Sequence, residues 1–220
     1  MALDAAVLAA SLARQRREAV VRVYAWARPT LSIGVHTDLP GEIAARCREA
    51  GVAVVRRPTG GGCVLHDGDV TYSVVAPDGG RSVREAYGWI AQALSAGLAT
   101  LGVDAGVADH EAAGRPLDCF AVPTGADLSV AGRKICGSAQ VRRGGWFLQH
   151  GSLPIADQRA RTATLLGSMP DERSTCLDHV RPGTTWQDLA RAVRDGFGSL
   201  WGGPATVRSP EPDEYGPSPP

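Results

Sequence analysis

The sequence is short of lysine, of charge of one sign and of long apolar runs. Lys134 is the only lysine among 23 basic side chains, and 23 acidic residues balance them to a formal net charge of zero. A neutral chain has no general attraction for nucleic acid or for an anionic membrane surface. No apolar run approaches the ~20 residues that span a bilayer. The first residues are apolar early and basic late, the reverse of a secretory signal. We therefore expect a cytoplasmic protein without nucleic-acid or membrane partners.

The sequence also lacks paired cysteines. Its five cysteines are an odd number without close spacing, which argues against a disulfide framework and against a four-cysteine zinc site. Cys63 and His66 stand in a Cys-x-x-His spacing, but no second pair accompanies them. This motif alone therefore does not predict a metal site.

What the sequence does contain is a mixture of helix and strand signals. Apolar spacing predicts helices over residues 2–18, 38–51, 81–102 and 184–202, the last capped by Thr184 or Thr185. Alternation and β-branched residues predict strands over residues 19–27, 29–36, 52–59, 69–77 and 145–155. Because strands outnumber helices and mostly follow one another directly, we predict an α+β fold. Residues 1–202 are expected to form one folded domain and residues 203–220 a proline-rich, disordered tail.

A glycine-rich loop lies in "RRPTGGGCVLHDGDVTYSVV", residues 56–75. Three glycines between two strands weaken a sheet and indicate a close approach of the backbone to something else. Successive N–H groups of such a loop can hold a phosphate or carboxylate, with Arg56 or Arg57 as a charged partner. The loop is not a Walker motif, because no Lys-Ser/Thr follows it. A tight turn with a salt-bridged arginine explains the glycines equally well.

The single lysine lies in "AGRKICGSAQ", between Gly132 and Gly137. Lysine is a compact point charge, whereas arginine presents a wide planar fork. A sequence that otherwise uses only arginine therefore indicates a narrow site at Lys134 where the fork does not fit. The alternative is an ordinary solvated lysine, which the flanking glycines make less favoured.

Cys119 and His150 are the remaining candidates. Cys119 lies in the irregular, proline-broken segment "RPLDCFAVPTGADL", so it is expected to be more exposed than a core cysteine. A nearby ammonium would lower its pKa and make the thiolate available for acyl chemistry. A free cysteine is nevertheless most often an inert core residue. His150, in "WFLQHGSLPI", can line a pocket, although a lone histidine in a strand is more often structural.

Three motifs together resemble the lipoate–protein ligase and octanoyltransferase family. They are "MALDAAVLAA", "RRPTGGGCVLHDGDVTYSVV" and "DLSVAGRKICGSAQVRRGGWFLQHGSL", in that order. The resemblance implies a biotin-protein-ligase-like α+β fold, with a mixed sheet flanked by helices. It also implies attachment of an octanoyl or lipoyl chain to a lysine of a small carrier domain. An apolar tunnel for that chain is expected, with Val74 and Leu148 as candidate lining residues.

Two chemistries occur in this family. Ligases activate lipoate with ATP and Mg²⁺, and the residues that match their adenylate site are Arg57, Gly62, Cys63, Val64, Leu65 and Lys134. Transferases need no ATP and take octanoyl from acyl carrier protein. In the cysteine-dependent branch a cysteine upstream of the motif lysine becomes an acyl-thioester, and Cys119 matches it. For this branch the resemblance implies that the acceptor is the glycine cleavage H protein or the E2 subunit of a 2-oxoacid dehydrogenase.

The resemblance favours the transferase, with Cys119 and Lys134 as catalytic residues. Gly62 argues for the ligase, because many transferases of this branch carry arginine there. The residues expected to bind substrate are Arg57, Gly60, Gly61, Gly62, Cys63, Val64, Leu65, His66, Gly137 and His150. The sequence leaves open whether Asp118 or His66 tunes the site.

Overall fold

The computed structural model describes residues 1–14, 18–107, 117–120 and 127–202. Its helices are α1 (Ala2–Ala13), α2 (Gly41–Glu49), α3 (Val83–Thr100), α4 (Arg159–Leu166), α5 (Leu177–Val180) and α6 (Trp186–Trp201). Its strands are β1 (Val20–Tyr24), β2 (Thr30–Ile33), β3 (Ala53–Arg56), β4 (Cys63–His66), β5 (Val70–Pro77), β6 (Gly106–Val107), β7 (Leu128–Val130), β8 (Arg133–Arg143) and β9 (Trp146–Leu153). The tail predicted for residues 203–220 lies outside the described residues.

The strands form two sheets. Six strands pair in the order β1-β5-β9-β8-β7-β6, and each of these pairings is antiparallel. Three strands pair in the order β3-β2-β4, where β2 runs parallel to β3 and antiparallel to β4. The predicted α+β fold with flanking helices is confirmed. Within the described ranges, however, mixed pairing is confined to the smaller sheet.

Helices cover each sheet because both bury apolar side chains at their contact. The large sheet packs against α3 and α6 through a core that includes Tyr72, Ile90, Leu94, Phe147 and Phe197. The small sheet packs against α2 and α4 through a second apolar cluster. Removing this apolar surface from water is the main favourable term in folding. Each sheet thus has its own apolar core.

Two helix predictions are refined by the structure. The first helix ends at Ala13 rather than near Glu18, because its buried positions stop at Ser11 and the residues after Leu12 offer no apolar face to pack. The last helix is capped by Thr185, whose side-chain oxygen accepts a hydrogen bond from the Asp188 N–H. Its capping box resolves the choice between Thr184 and Thr185.

A tight turn between β7 and β8 positions the single lysine. Ala131 and Gly132 both have positive φ, 49° and 75°, as the turn types that match the twist of hairpin strands require. Lys134 follows at the second residue of β8. Its N–H donates to Arg173 O and its C=O accepts from Thr175 N, both at 2.8 Å. The backbone of Lys134 is therefore held by a segment distant in sequence.

Candidate active site

A cavity of about 690 Å³ lies where the two sheets meet. Ser32, Val64 and His66 of the small sheet line it, together with Lys134 and His150 of the large sheet. The predicted site residues that it brings together are Arg57, Gly60, Gly61, Gly62, Val64, His66, Cys119, Lys134, Gly137 and His150. A volume of several hundred Å³ is typical of small-molecule sites.

Cys63 and Leu65 are not brought to the cavity. Successive residues of a strand point to opposite faces, so Val64 faces the cavity while its two neighbours are buried in the apolar cluster of the small sheet. Cys63 has another connection to the site through its main chain. Its N–H donates to Leu117 O, and its C=O accepts from Cys119 N at 3.0 Å. Strand β4 thus anchors the segment that carries Cys119.

The prediction that Val74 and Leu148 line a tunnel for the acyl chain is wrong. Val74 is fully buried in the core of the large sheet, and Leu148 is buried with α1. Val74 pairs with Gln149 and Leu148 pairs with Val75, so the two side chains lie on opposite faces of the sheet. Val74 lies on the face that packs against α3 and α6, whereas Leu148 shares the face of His150 but is covered by α1. The sequence alone could not assign these faces.

The sulfur of Cys119 is contacted by an arginine. Cys119 is half-buried, and Arg57 Nη2 lies 3.5 Å from its Sγ. A Cβ added at Gly61 would lie 3.2 Å from the same sulfur and 2.8 Å from Arg57 Nη2. Gly61 also has a φ of +90°, a conformation that favours glycine. A side chain at this position would occupy the space next to the sulfur and the guanidinium. The glycine loop therefore closes tightly over both the thiol and the guanidinium.

The ammonium of Lys134 reaches the same residue at a different atom. Lys134 Nζ donates to the carbonyl oxygen of Cys119 at 2.6 Å and pairs with Asp127 Oδ2 at 2.7 Å. It also lies 5.4 Å from the centre of the Phe120 ring. The sequence predicts an ammonium beside the sulfur. In the structure the ammonium holds the main chain of Cys119, and the hydrogen bond to the sulfur comes from Arg57.

Arg57 is buried and directed at protein atoms. Its guanidinium donates to the carbonyl oxygen of Gly60 from Nε and Nη2, at 3.2 and 2.8 Å. Nη1 donates to the main-chain and side-chain oxygens of Ser32, at 3.1 and 3.3 Å. Only 4% of the side chain is exposed. These bonds fix the glycine loop and the guanidinium to each other.

His66 is held at both ring nitrogens and on one face of its ring. Its Nδ1 lies 2.8 Å from Asp69 Oδ2 and its Nε2 lies 2.9 Å from Ser32 Oγ. The ring of Trp26 stacks on it with centroids 4.3 Å apart. Burial would raise the pKa of Asp69, but His66 and the hydroxyls that donate to this carboxylate outweigh burial and lower it. Asp69 is therefore an ionised anchor for the His66 ring.

His150 lies on the other side of the cavity. Its Nε2 is 2.7 Å from Thr59 Oγ1, and its Nδ1 is 3.9 Å from Asp4 Oδ2. Burial lowers the pKa of His150, and the nearby Asp4 only partly offsets that effect. Burial also acts to raise the pKa of Asp4, but His150, Arg22 and Ser73 reverse it and hold the pKa well below its usual range. His150 thus links the start of the glycine loop to a buried carboxylate.

Three functional candidates were missed by sequence reasoning. Asp127 pairs with the catalytic candidate Lys134, and Ser32 and Asp69 contact Arg57 and His66. Asp127 stands in the quoted motif "DLSVAGRK", so its nearness to the only lysine was a usable signal. Ser32 sits in an ordinary strand, and no local pattern distinguishes it.

Two general features complete the description. Over residues 1–14, 18–107, 117–120 and 127–202, no three His, Cys, Asp or Glu side chains group as a metal ion requires. Nor does any helix within these ranges have the length and apolar character needed to cross a membrane.

Sequence comparisons give consistent family matches. The Lipoyl protein ligase A/B catalytic domain family matches residues 1–198. Octanoyltransferase LipM of Carboxydothermus hydrogenoformans is 41% identical over 161 residues, which cover 70% of this chain and 60% of that protein. Octanoyltransferase LipM of Kyrpidia tusciae is 39% identical over 210 residues, covering 89% and 73%. The chain thus spans about three fifths of the length of the first of these relatives.

Solved structures agree with the fold. A lipoate-protein ligase A bound with ATP superposes with a TM-score of 0.82 at 21% identity, covering 97% of this chain and 84% of that one. A bipartite lipoate protein ligase from Thermoplasma acidophilum, described with its E2 lipoyl domain, gives 0.77 at 21% identity, covering 97% and 82%. At such identities the likeness concerns the fold alone. The family match over nearly the whole length is decisive: the chain belongs to the lipoyl protein ligase A/B catalytic domain family.

Proposed function

We propose that this protein transfers an octanoyl group to a lysine of a lipoyl-carrier domain through a thioester on Cys119. One observation carries the proposal. The sulfur of Cys119 lines the cavity against the Arg57 guanidinium, while the Lys134 ammonium binds the carbonyl oxygen of the same residue. Two buried cations thus converge on one half-buried cysteine. The relatives that are named octanoyltransferases support the same reaction.

The first step loads the cysteine. The thiolate of Cys119 attacks the carbonyl carbon of the octanoyl thioester of acyl carrier protein. A new C–S bond forms to Cys119, the C–S bond to the phosphopantetheine arm breaks, and the departing thiolate takes a proton from water. Arg57 stabilises the attacking sulfur by a charge-assisted contact. The loop of residues 60–62 borders the sulfur at Gly61, and its main-chain N–H groups are candidates to bind the oxyanion.

The second step delivers the octanoyl group. The neutral amine of the acceptor lysine attacks the thioester carbon, a C–N bond forms, and the C–S bond to Cys119 breaks. The amine proton passes to the departing sulfur or to water. Lys134 keeps the main chain of Cys119 fixed through both steps, because its ammonium is anchored by Asp127 as well. The acceptor is a lipoyl-carrier domain, either the H protein of glycine cleavage or an E2 subunit.

No ATP enters these steps. In the alternative reaction, ATP and Mg²⁺ activate lipoate, and Arg57, Gly62 and Lys134 bind the adenylate. In this structure the Arg57 and Lys134 side chains are 4% and 3% exposed, and both donate to protein oxygens. An adenylate phosphate would have to displace those bonds. The proposed transferase reaction leaves these hydrogen bonds in place.

The decisive experiment follows the octanoyl group without ATP. The purified protein is incubated with octanoyl-acyl carrier protein, and its mass is measured before and after hydroxylamine, which cleaves thioesters. We expect one octanoyl increment on Cys119, and transfer to a lysine when a lipoyl-carrier domain is added.

Two variants and one assay distinguish the thioester route from ATP-dependent ligation. Cys119→Ala should abolish both the increment and the transfer, whereas Cys47→Ala, which removes a buried thiol of the small-sheet core, should keep both. Undiminished transfer by Cys119→Ala would refute the thioester route. Lipoate-dependent pyrophosphate exchange with ATP and Mg²⁺, in the absence of ATP-free transfer, would establish the ligase instead.

A further inference from the structure

A row of four hydrogen bonds connects a buried carboxylate to the sulfur of Cys119. It runs from Asp69 Oδ2 to His66 Nδ1 at 2.8 Å and from His66 Nε2 to Ser32 Oγ at 2.9 Å. It continues from Ser32 Oγ to Arg57 Nη1 at 3.3 Å and from Arg57 Nη2 to Cys119 Sγ at 3.5 Å. The four residues before the cysteine are each at most 4% exposed.

The direction of each bond follows from what the groups can donate. A guanidinium only donates, so Ser32 Oγ accepts from Arg57, and its own hydroxyl proton is available to His66 Nε2. With the ring proton on Nδ1, His66 donates to Asp69 and its Nε2 accepts from Ser32. Asp69 Oδ2 also accepts from Thr71 and Ser152, at 2.9 and 2.6 Å. This assignment gives every bond of the row one donor and one acceptor.

We propose that Ser32 and His66 are positioning residues for the reaction at Cys119, because they hold one end of the Arg57 guanidinium so that its other end reaches the sulfur. The guanidinium is rigid and planar, so fixing Nη1 and Nε also fixes Nη2. Gly60 O holds Nε, and the Ser32 oxygens hold Nη1. Without the hydroxyl, Nη1 keeps only its bond to the main-chain oxygen of Ser32, so the guanidinium is held less firmly and its contact to the sulfur weakens.

Neither residue is a candidate to react itself. Ser32 is 1% exposed and its oxygen already accepts a bond from Arg57. Both nitrogens of His66 are bonded to protein atoms, and Trp26 covers one face of its ring. Their effect on the reaction therefore passes through Arg57. The kinetic part of this inference rests on the proposed octanoyl transfer, but the contact to the sulfur does not.

The test combines Ser32→Ala, His66→Gln and the double variant with two measurements. The first is the rate at which iodoacetamide alkylates Cys119, which needs no octanoyl chemistry. The second is kcat and KM for octanoyl transfer, with all rates normalised to the folded fraction from circular dichroism. We expect each single variant to lower the alkylation rate and kcat about tenfold, with KM within about twofold.

The double variant gives the most specific test. Because both residues act through one guanidinium, the double variant should lose no more than either single variant. Ser32→Thr keeps the hydroxyl and should retain a higher rate than Ser32→Ala. The matched control is Ser11→Ala, since Ser11 is equally buried and its hydroxyl has no partner among the described residues. This control should match the wild type.

The outcomes separate this inference from the proposed function. Single variants that keep the wild-type alkylation rate, losses that multiply in the double variant, or a rate loss that disappears after normalisation would each overturn it. If no octanoyl transfer is found in the wild type, the proposed function fails, and the alkylation rates still decide whether Ser32 and His66 position Arg57.

Discussion

Lys134 and Asp127 form a buried ion pair with 2.7 Å between Nζ and Oδ2, and only 3% and 1% of their side chains are exposed. The pair lies beside Cys119, whose carbonyl oxygen accepts the second bond from the ammonium. A buried charge is tolerated when it is paired and hydrogen-bonded, and it is costly when its partner is removed. The only lysine of the chain is thus tied into the fold as well as into the site.

Removing the carboxylate should destabilise the protein strongly. Asp127→Ala leaves the ammonium of Lys134 buried without its counter-charge, and such a loss costs about 3–5 kcal/mol. Urea denaturation of the variant and the wild type measures the difference. Asp195→Ala is the control, because its pair with Arg194 is half-exposed and such pairs contribute little. Equal stabilities of Asp127→Ala and Asp195→Ala would contradict the buried-pair account.

Arginine should not replace the single lysine. A Cβ at Gly137 would lie 3.1 Å from Lys134 Cε, which shows how closely the chain surrounds this side chain. The wider guanidinium of Lys134→Arg cannot enter the same space and reach both Asp127 and Cys119 O. We expect a loss of at least about tenfold in kcat for octanoyl transfer. Arg133→Lys, one residue earlier, should keep its activity; a fully active Lys134→Arg would show that the narrow space does not matter.

Cys119 should be alkylated before the other cysteines. Burial raises the pKa of Cys63 and of Cys136 to about 12, and it also raises the pKa of Cys47 and Cys176. All four are buried, whereas Cys119 is half-buried. Since the thiolate is the reactive form, iodoacetamide at pH 8 should first label Cys119. Peptide mass mapping after short exposure measures this order, and early labelling of Cys63 would contradict it.

Stability should fall with pH where His150 would gain a proton. Burial lowers the pKa of His150 below its ordinary 6.5, so below pH 6.5 the unfolded chain binds a proton that the folded one does not. The free energy of unfolding is then lost as pH falls, by at most about 1.4 kcal/mol per pH unit. Urea denaturation between pH 7.5 and 5 should show this slope in the wild type and a smaller one in His150→Gln. Parallel curves for the two proteins would contradict the assignment to His150.

Helices α3 and α6 cross through two glycines, and substitution there should be costly. A Cβ at Gly97 would lie 2.2 Å from Ala192 O, and one at Gly196 would lie 2.1 Å from Ala93 O. Gly97→Ala must push the helices apart, at a cost of about 1–3 kcal/mol. Gly88→Ala, in the same helix with open space around it, should instead stabilise by up to about 1 kcal/mol. Thermal denaturation compares them, and a Gly97→Ala protein as stable as Gly88→Ala would exclude a tight crossing.

Local chemistry made much of the fold predictable. Ser82 and Glu85 form a capping box at the start of α3, and Gly102 with φ of +75° follows its end, as the apolar spacing and the glycine indicate. Gly132 is likewise a local signal of the turn before Lys134, because glycine adopts positive φ without strain. Helices α4 and α5 lie in a stretch where the pattern predicts no element. Both helices are short, so their apolar residues form no recognisable helical pattern in the sequence. Their burial depends on packing against the two core clusters.

The candidate site divides in the same way. The sequence by itself determined which residues are unusual: one lysine in a chain of arginines, three glycines between strands, and a cysteine in an irregular segment. These signals are local, since each depends on a residue type and its immediate neighbours. The roles of Cys119 and Lys134 in catalysis stay predictions until the acyl-transfer experiments are done.

Only the tertiary structure decided which groups touch. Arg57 is 62 residues from Cys119 along the chain, and Ser32 is 34 from His66, so no local pattern pairs them. Strand register placed Val64 in the cavity and its two neighbours in the core. Packing placed Arg57 beside the sulfur of Cys119 and Lys134 beside its carbonyl oxygen. The physical reason is that side-chain contacts follow from the pairing of distant strands, and a one-residue change of register would reverse every face.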